Sequence, residues 1–291
     1  MQNEDLFYTL YEKEFNTKKY LYHYTSFLTA IKIIQGDSLR FSMINGMNDT
    51  LEAKPKVIIS QENAEYRKLV CNILNDLKKL NIQLLCFSKD GGKNKLSDDE
   101  NVPELIKYSD YIGRGFALPR MWAQYAQNNS GVCLIFNKSK LEGIIKESLG
   151  THLLLEGSVK YVSRFETYVI DNIDNSEYIK LINCYNDLLE QEKLRVLMNF
   201  VKNNVDLIKY NFFSKFFDWS GENEYRFLAW SDENIYIRGI RDALEAVVVG
   251  EDMGVPEIEV VKFITNYKYP VMKINFTCDG ALLKNIPSEI V

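Results

Sequence analysis

Short apolar runs of strand length, set between segments of helical spacing, constrain this chain more than any other feature. Ile82 to Ser88, Val132 to Phe136, Ala246 to Val249 and Val271 to Phe276 are too short for typical helices and rich in Val, Ile, Leu and Phe, so they read as strands. Phe27 to Gln35, Glu62 to Leu80, Lys138 to Ser148 and Pro256 to Thr265 carry helical patterns instead. Pro256 suits a first helical turn, where no amide hydrogen is required. Further strands are expected at Tyr20 to Tyr24, Leu39 to Ser42, Ser158 to Val162, Tyr225 to Trp230 and Ile235 to Ile237. Further helices are expected at Met1 to Lys19 and, set up by Pro119, at Arg120 to Gln127. Met43 to Lys54 and Lys89 to Tyr111 are turn-rich and polar. The sum is a single α+β domain over residues 1–291, with a mixed, mainly antiparallel sheet and flanking helices. Residues 165–213 read as a helical insertion, broken at Asn203-Asn204.

Composition narrows the partners. A net charge of −5 supplies no global basic field toward nucleic acid or acidic lipid, although a local basic groove would still allow a nucleic-acid partner. No apolar run reaches the ~18 residues of a membrane span. Met1 to Asp5 carries two acids and no apolar stretch, which is unlike a secretory signal. A cytoplasmic protein is expected. With only His23 and His152, and five cysteines never paired as Cys-x-x-Cys, no zinc site of ordinary ligand spacing can be assembled. Cys86 and Cys133 lie within apolar runs, as small buried hydrophobes do.

One of the two histidines sits in Leu21-Tyr22-His23-Tyr24-Thr25-Ser26, at the rim of an expected strand and beside two hydroxyls. A helix, Gly36 and then Leu39-Arg40-Phe41-Ser42 follow; far downstream, Asn223-Glu224-Tyr225-Arg226 supplies a glutamate. Each residue also has a plainer reading. His23 could be a half-buried structural histidine. Glu224 could form an ion pair with Lys215 or Arg226 on a strand surface. Trp122 and Tyr125, three residues apart, share a helix face suited to core packing. Asp49, Glu52 and Lys54 permit a metal-dependent nuclease reading, but all three lie in one turn-rich segment rather than at separate strand ends. No glycine-rich phosphate loop occurs.

Leu21 to Ser26, Leu39 to Ser42, Asn48-Asp49 with Glu52, Cys86-Phe87-Ser88, Met121-Trp122-Ala123-Gln124-Tyr125-Ala126, Gly131 to Leu134, Lys215, Trp219 and Glu222 to Arg226 carry a resemblance. Together they resemble a bacterial family, domain of unknown function 2971, in order from about Tyr20 to Phe276. The opening His-x-Thr, helix, Gly and Leu-Arg-Phe is also similar to the start of the ADP-ribosyltransferase fold. That resemblance implies an NAD-dependent ADP-ribosyltransferase with an ADP-ribosyltransferase-like sheet, His23 and Glu224 as catalytic residues, and NAD as substrate. It implies a cofactor-binding set of Tyr24, Thr25, Arg40, Ser42, Phe87, Trp122, Tyr125 and Arg226. Tyr24, Tyr125 and Phe87 compete to stack on nicotinamide, and Arg40 or Arg226 is expected to meet the pyrophosphate. By family-level analogy the setting is an effector in phage defence or a toxin-type system. A non-catalytic module binding a nucleotide or a partner is the competing expectation.

Overall fold

The computed structural model describes residues 19–49, 71–76, 82–91, 113–165, 185, 188–231, 233–266, 268–277 and 280–286. The expected N-terminal helix, most of the segment 62–80, the loop after Lys89, and Glu52 and Lys54 lie outside the described residues. Thirteen strands are described: β1 (Tyr20–Thr25), β2 (Ser38–Arg40), β3 (Ser42–Met43), β4 (Ile82–Lys89), β5 (Val132–Asn137), β6 (Leu153–Ser158), β7 (Lys160–Val162), β8 (Ser214–Phe216), β9 (Glu224–Trp230), β10 (Tyr236–Arg238), β11 (Leu244–Val249), β12 (Val271–Thr277) and β13 (Gly280–Asn285). The helices are α1 (Phe27–Gly36), α2 (Pro119–Tyr125), α3 (Lys138–Leu149), α4 (Glu190–Asn203), α5 (Val205–Phe212) and α6 (Val255–Ile264); residues 71–76 are also helical.

The described residues form an α+β structure around a mainly antiparallel nine-stranded sheet, ordered β13-β12-β11-β5-β1-β4-β9-β6, with β3 paired to β4. Within it, β11 and β12 run parallel. Local chemistry explains the boundaries. Ser26 caps α1 by accepting from the Thr29 amide, and Asp37 ends it in the left-handed conformation. Asn137 caps α3 in the same manner as Ser26. Pro119 opens α2.

One sheet face carries Leu21, Leu85, Phe87, Leu134 and Phe227 against α1, α3 and α6. The opposite face has two separate cores. Tyr22, Tyr24, Cys133 and Ile135 pack with Met121 and Trp122 of α2. Ile82, Leu84 and Leu228 pack with Val196, Phe200, Ile208 and Phe212 of α4 and α5.

The β1–β4 seam positions the site. β1 pairs with β5 over its full length, from Tyr20 to Thr25. With β4 it pairs at only two positions, Leu21 with Lys89 and Tyr22 with Ser88. Further along, the same edge of β4 is taken by β3, at Leu84 and Gln83. Leu85, Cys86 and Phe87 therefore face a gap between two strand partners.

The expected strand Leu39 to Ser42 is interrupted. Phe41 donates its amide to the Ile235 carbonyl and is buried, so β2 pairs with β10 while β3 turns to β4. The helical block divides at Asn204 into α4 and α5, between β7 and β8 in the chain. Among the described residues, no helix is long and apolar enough to cross a membrane.

Candidate functional site

A cavity of about 350 Å³ opens at this gap. Consecutive residues of both strands line it, Tyr22 to Tyr24 on β1 and Leu84 to Ser88 on β4, as expected where two strands part. Arg40, Ser42, Met47 and Asn48 close it from the β2–β3 side; Met121, Tyr125, Lys215, Glu222 and Glu224 close it from the other.

His23 reaches the gap from the face opposite Glu224. Directly opposed residues in a sheet share a face, and the registers put Tyr22, Ser88 and Glu224 together. His23, one residue along, packs its ring 5.5 Å from Phe87. Its Nδ1 lies 3.3 Å from the Cys86 carbonyl. A carbonyl only accepts, so Nδ1 carries the hydrogen and Nε2 the lone pair. Burial lowers the His23 pKa, partly countered by that carbonyl.

Glu224 is held by a buried ionic cluster. Arg226 lies two residues along the same strand and therefore on the same face. Its Nε donates to Oε1 at 2.7 Å and its second guanidinium nitrogen to Oε2 at 2.8 Å. Lys215 Nζ is 3.0 Å from Glu224 Oε2 and 2.7 Å from Glu222 Oε2. The Tyr125 hydroxyl donates to Glu222 Oε1 at 2.6 Å. Asn223, between the two glutamates, adopts the left-handed conformation at φ 44°, which asparagine tolerates better than most residues. That turn lets both carboxylates meet one ammonium. Burial alone would raise the Glu224 pKa, but the charges of Arg226 and Lys215, with hydrogen bonds from Arg226 and Cys86, lower it to about 2. Burial and the neighbouring Glu222 push the Tyr125 phenol well above its ordinary value.

Of the residues singled out from sequence, His23, Tyr24, Arg40, Ser42, Phe87, Tyr125 and Glu224 line this one cavity. Thr25, Trp122 and Arg226 do not. Thr25 is buried in the β1–β5 ladder opposite Val132. Trp122 is fully buried and donates its indole hydrogen to the Phe116 carbonyl. Arg226 was expected to be free for a pyrophosphate; its guanidinium is instead engaged by Glu224 and the Phe212 carbonyl. The Glu224 pairing was expected at a strand surface, but it lies in the interior. Phe87 and Tyr24 are largely embedded, Tyr24 edge-on to Trp122, so Tyr125 is the more open of the three competing rings.

Sequence reasoning passed over Lys215, Glu222 and Ser88 as site residues. Lys215 entered only as a possible ion-pair partner of Glu224, and Glu222 only as part of the Glu222 to Arg226 string. Ser88 could have been found from strand alternation, since it opposes Glu224 in the ladder. Ser88 lines the cavity, and its buried hydroxyl has no hydrogen-bond partner among the described residues.

Residues 121–227 match the family described as Protein of unknown function (DUF2971). The matched stretch contains Tyr125, Lys215, Glu222, Glu224 and Arg226, hence the ionic wall of the cavity, but not His23, Arg40 or Ser88. No curated protein and no solved structure matches the chain. Among the described residues, no group of three or more His, Cys, Asp or Glu side chains is placed to hold a metal ion.

Proposed function

We propose that this protein is an NAD-dependent ADP-ribosyltransferase-like enzyme that takes NAD as substrate at the β1–β4 gap. The observation that carries the reading is that His23 and Glu224 line one cavity. Breaking the bond between nicotinamide and ribose builds positive charge on the sugar, as in other glycosyl transfers. A fixed, ionised carboxylate stabilises that charge, and a group of this kind is worth roughly 10²–10³ in rate.

Glu224 suits that task because its partners hold it ionised and oriented. A carboxylate offers about four acceptor positions. Arg226, Lys215 and the Cys86 thiol already address them, so Glu224 acts through its charge rather than as a proton acceptor. His23 Nε2 is assigned to a ribose hydroxyl, Tyr125 to the nicotinamide face, and exposed Arg40 to the pyrophosphate. The setting, an effector in phage defence or a toxin-type system, rests on family-level analogy.

One observation favours a non-catalytic nucleotide-binding module instead. Glu222 and Glu224 are matched by Lys215 and Arg226, so the cluster has little net charge to offer a developing cation.

Ligand-observed NMR with NAD, together with chromatography of released nicotinamide, tests both readings. The enzyme reading expects binding plus release, with release falling about 10²-fold or more in Glu224→Gln and His23→Asn. Binding without release identifies the module. No binding by the unaltered protein ends both. Glu224→Gln leaves Lys215 and Arg226 short of a counter-charge, so His23→Asn provides the structurally milder check.

A further inference from the structure

We propose that the two-stranded ribbon of β2 and β10 is an adenosine shelf at the mouth of the β1–β4 cavity, with Tyr236 stacking on the purine of a dinucleotide. The inference rests on the reading of that cavity as the nicotinamide riboside end of an NAD site. The cavity measures about 350 Å³, at the low end of the ~300–1,000 Å³ usual for small-molecule sites. A dinucleotide seated there by one nucleoside leaves the other outside, where a second surface has to receive it.

Arg40 belongs to both places. It lines the cavity. It also ends β2, where it stands directly opposite Tyr236 of β10. Directly opposed residues share one face of a ribbon, with Cβ atoms about 5 Å apart. Arg238 lies two residues along β10, on that same face and opposite Ser38. Arg40, Tyr236 and Arg238 are all exposed, and Tyr236 leaves 51% of its surface open.

The ribbon's other face holds Leu39 and Ile237, both buried in the core that α1 and α3 share. Its ends are tied as well: the Phe41 amide donates to the Ile235 carbonyl and the Gly239 amide to the Asp37 carbonyl, each at 3.0 Å. The exposed ring is therefore carried on a fixed backbone, which lowers the ordering cost of binding.

Every base has a flat π face, so an open aromatic ring can stack a purine without a donor or acceptor of its own. The guanidinium groups beside the ring match the phosphates that join two nucleosides. Of the two cations lining the cavity among the described residues, Lys215 is committed to Glu222 and Glu224, and Arg40 is the exposed one. A pyrophosphate at Arg40 thus leads from the cavity onto the face that carries Tyr236 and Arg238.

Ligand-observed NMR titration of the full chain with NAD, AMP and nicotinamide mononucleotide separates the shelf from the cavity. Tyr236→Ala, at an exposed position that does not threaten the fold, should weaken NAD and AMP about tenfold. It should leave nicotinamide mononucleotide, which has no adenosine, unchanged. Tyr236→Phe keeps the stacking face and should bind all three as the unaltered protein does. Arg238→Gln should weaken AMP several-fold, and less so at high salt. AMP binding that depends on Tyr236, without binding of nicotinamide mononucleotide, upholds the shelf and ends the nicotinamide reading of the cavity. The shelf is overturned if Tyr236→Ala binds AMP and NAD like the unaltered protein. It is equally overturned if AMP shows no saturable binding up to about 10 mM, whatever nicotinamide mononucleotide does.

Discussion

Arg226 grips Glu224 through two hydrogen bonds of 2.7 and 2.8 Å from two positions along the same face of β9, and both side chains are buried. Charges removed from water this completely are tolerable only while each keeps its partners. The first two predictions follow from that dependence.

Lys215→Met takes the shared cation from between Glu222 and Glu224 and leaves two buried carboxylates facing each other. The loss in unfolding free energy should be about 3–5 kcal/mol, read from urea denaturation at neutral pH. A loss below about 1 kcal/mol would place the pairing in the class of exposed ion pairs.

Acid should weaken the fold through Glu224. Its folded pKa of about 2 lies below the ordinary value of 4.5. The stability it contributes is therefore complete above about pH 4.5 and is lost as pH falls toward 2. Urea midpoints across that window should fall steeply in the unaltered protein and less steeply in Glu224→Gln.

His23 should titrate below 6.5, because burial disfavours its charged form. The neutral ring favours folding above pH 6.5, and that contribution disappears as pH drops through the lowered value. With only two histidines in the chain, ring-carbon NMR resolves His23 from His152 once His152→Gln is compared. A His23 midpoint above 6.5 would contradict the buried, Nδ1-protonated ring.

Ser88→Ala separates the fold from the site. The buried hydroxyl has no bond to lose among the described residues, so stability should stay within about 1 kcal/mol or rise slightly. NAD affinity should fall measurably if the cavity holds the nucleotide. Trp122→Phe should do the reverse. It strands the Phe116 carbonyl and costs about 1–3 kcal/mol, while leaving NAD binding intact because Trp122 lies off the lining.

Gly131→Ala tests the tight turn between α2 and β5. An added Cβ would stand 2.5 Å from the Thr25 carbonyl oxygen and 2.7 Å from the Ala126 backbone. Neither neighbour can swing aside as a side chain could, so a loss of about 3 kcal/mol or more is expected on denaturation.

What the sequence revealed follows from how local each signal is. Ile82 to Ser88 and Val132 to Phe136 were readable because continuous apolar runs record burial on both faces. Leu153 to Ser158 was missed except for its last residue: its three leucines are too short a run to tell strand from helix, and Glu156, Gly157 and Ser158 break the pattern at this half-buried sheet edge. β8, three residues between a helix and a 3-10 turn, is too short to leave a periodic trace. β13, Gly280–Asn285, was passed over as well.

The cavity shows the same division. His23 and Glu224 stood out by residue type and neighbours. Their distinct approaches to the gap depend on a register between strands far apart in sequence, which no local pattern encodes. Arg226 was misjudged for a related reason. Glu224-x-Arg226 on an exposed strand would be weakly coupled, and only burial against α5 locks the guanidinium in place.

The two-position seam between β1 and β4 has one more consequence. The opening there is made by omitted ladder rungs, not by a hollow carved from either core. One additional rung would seal it, and one fewer would enlarge it, with the packing under α2 and under α4–α5 left as it stands. The aperture is thus set by where the backbone pairing of Tyr22 with Ser88 stops.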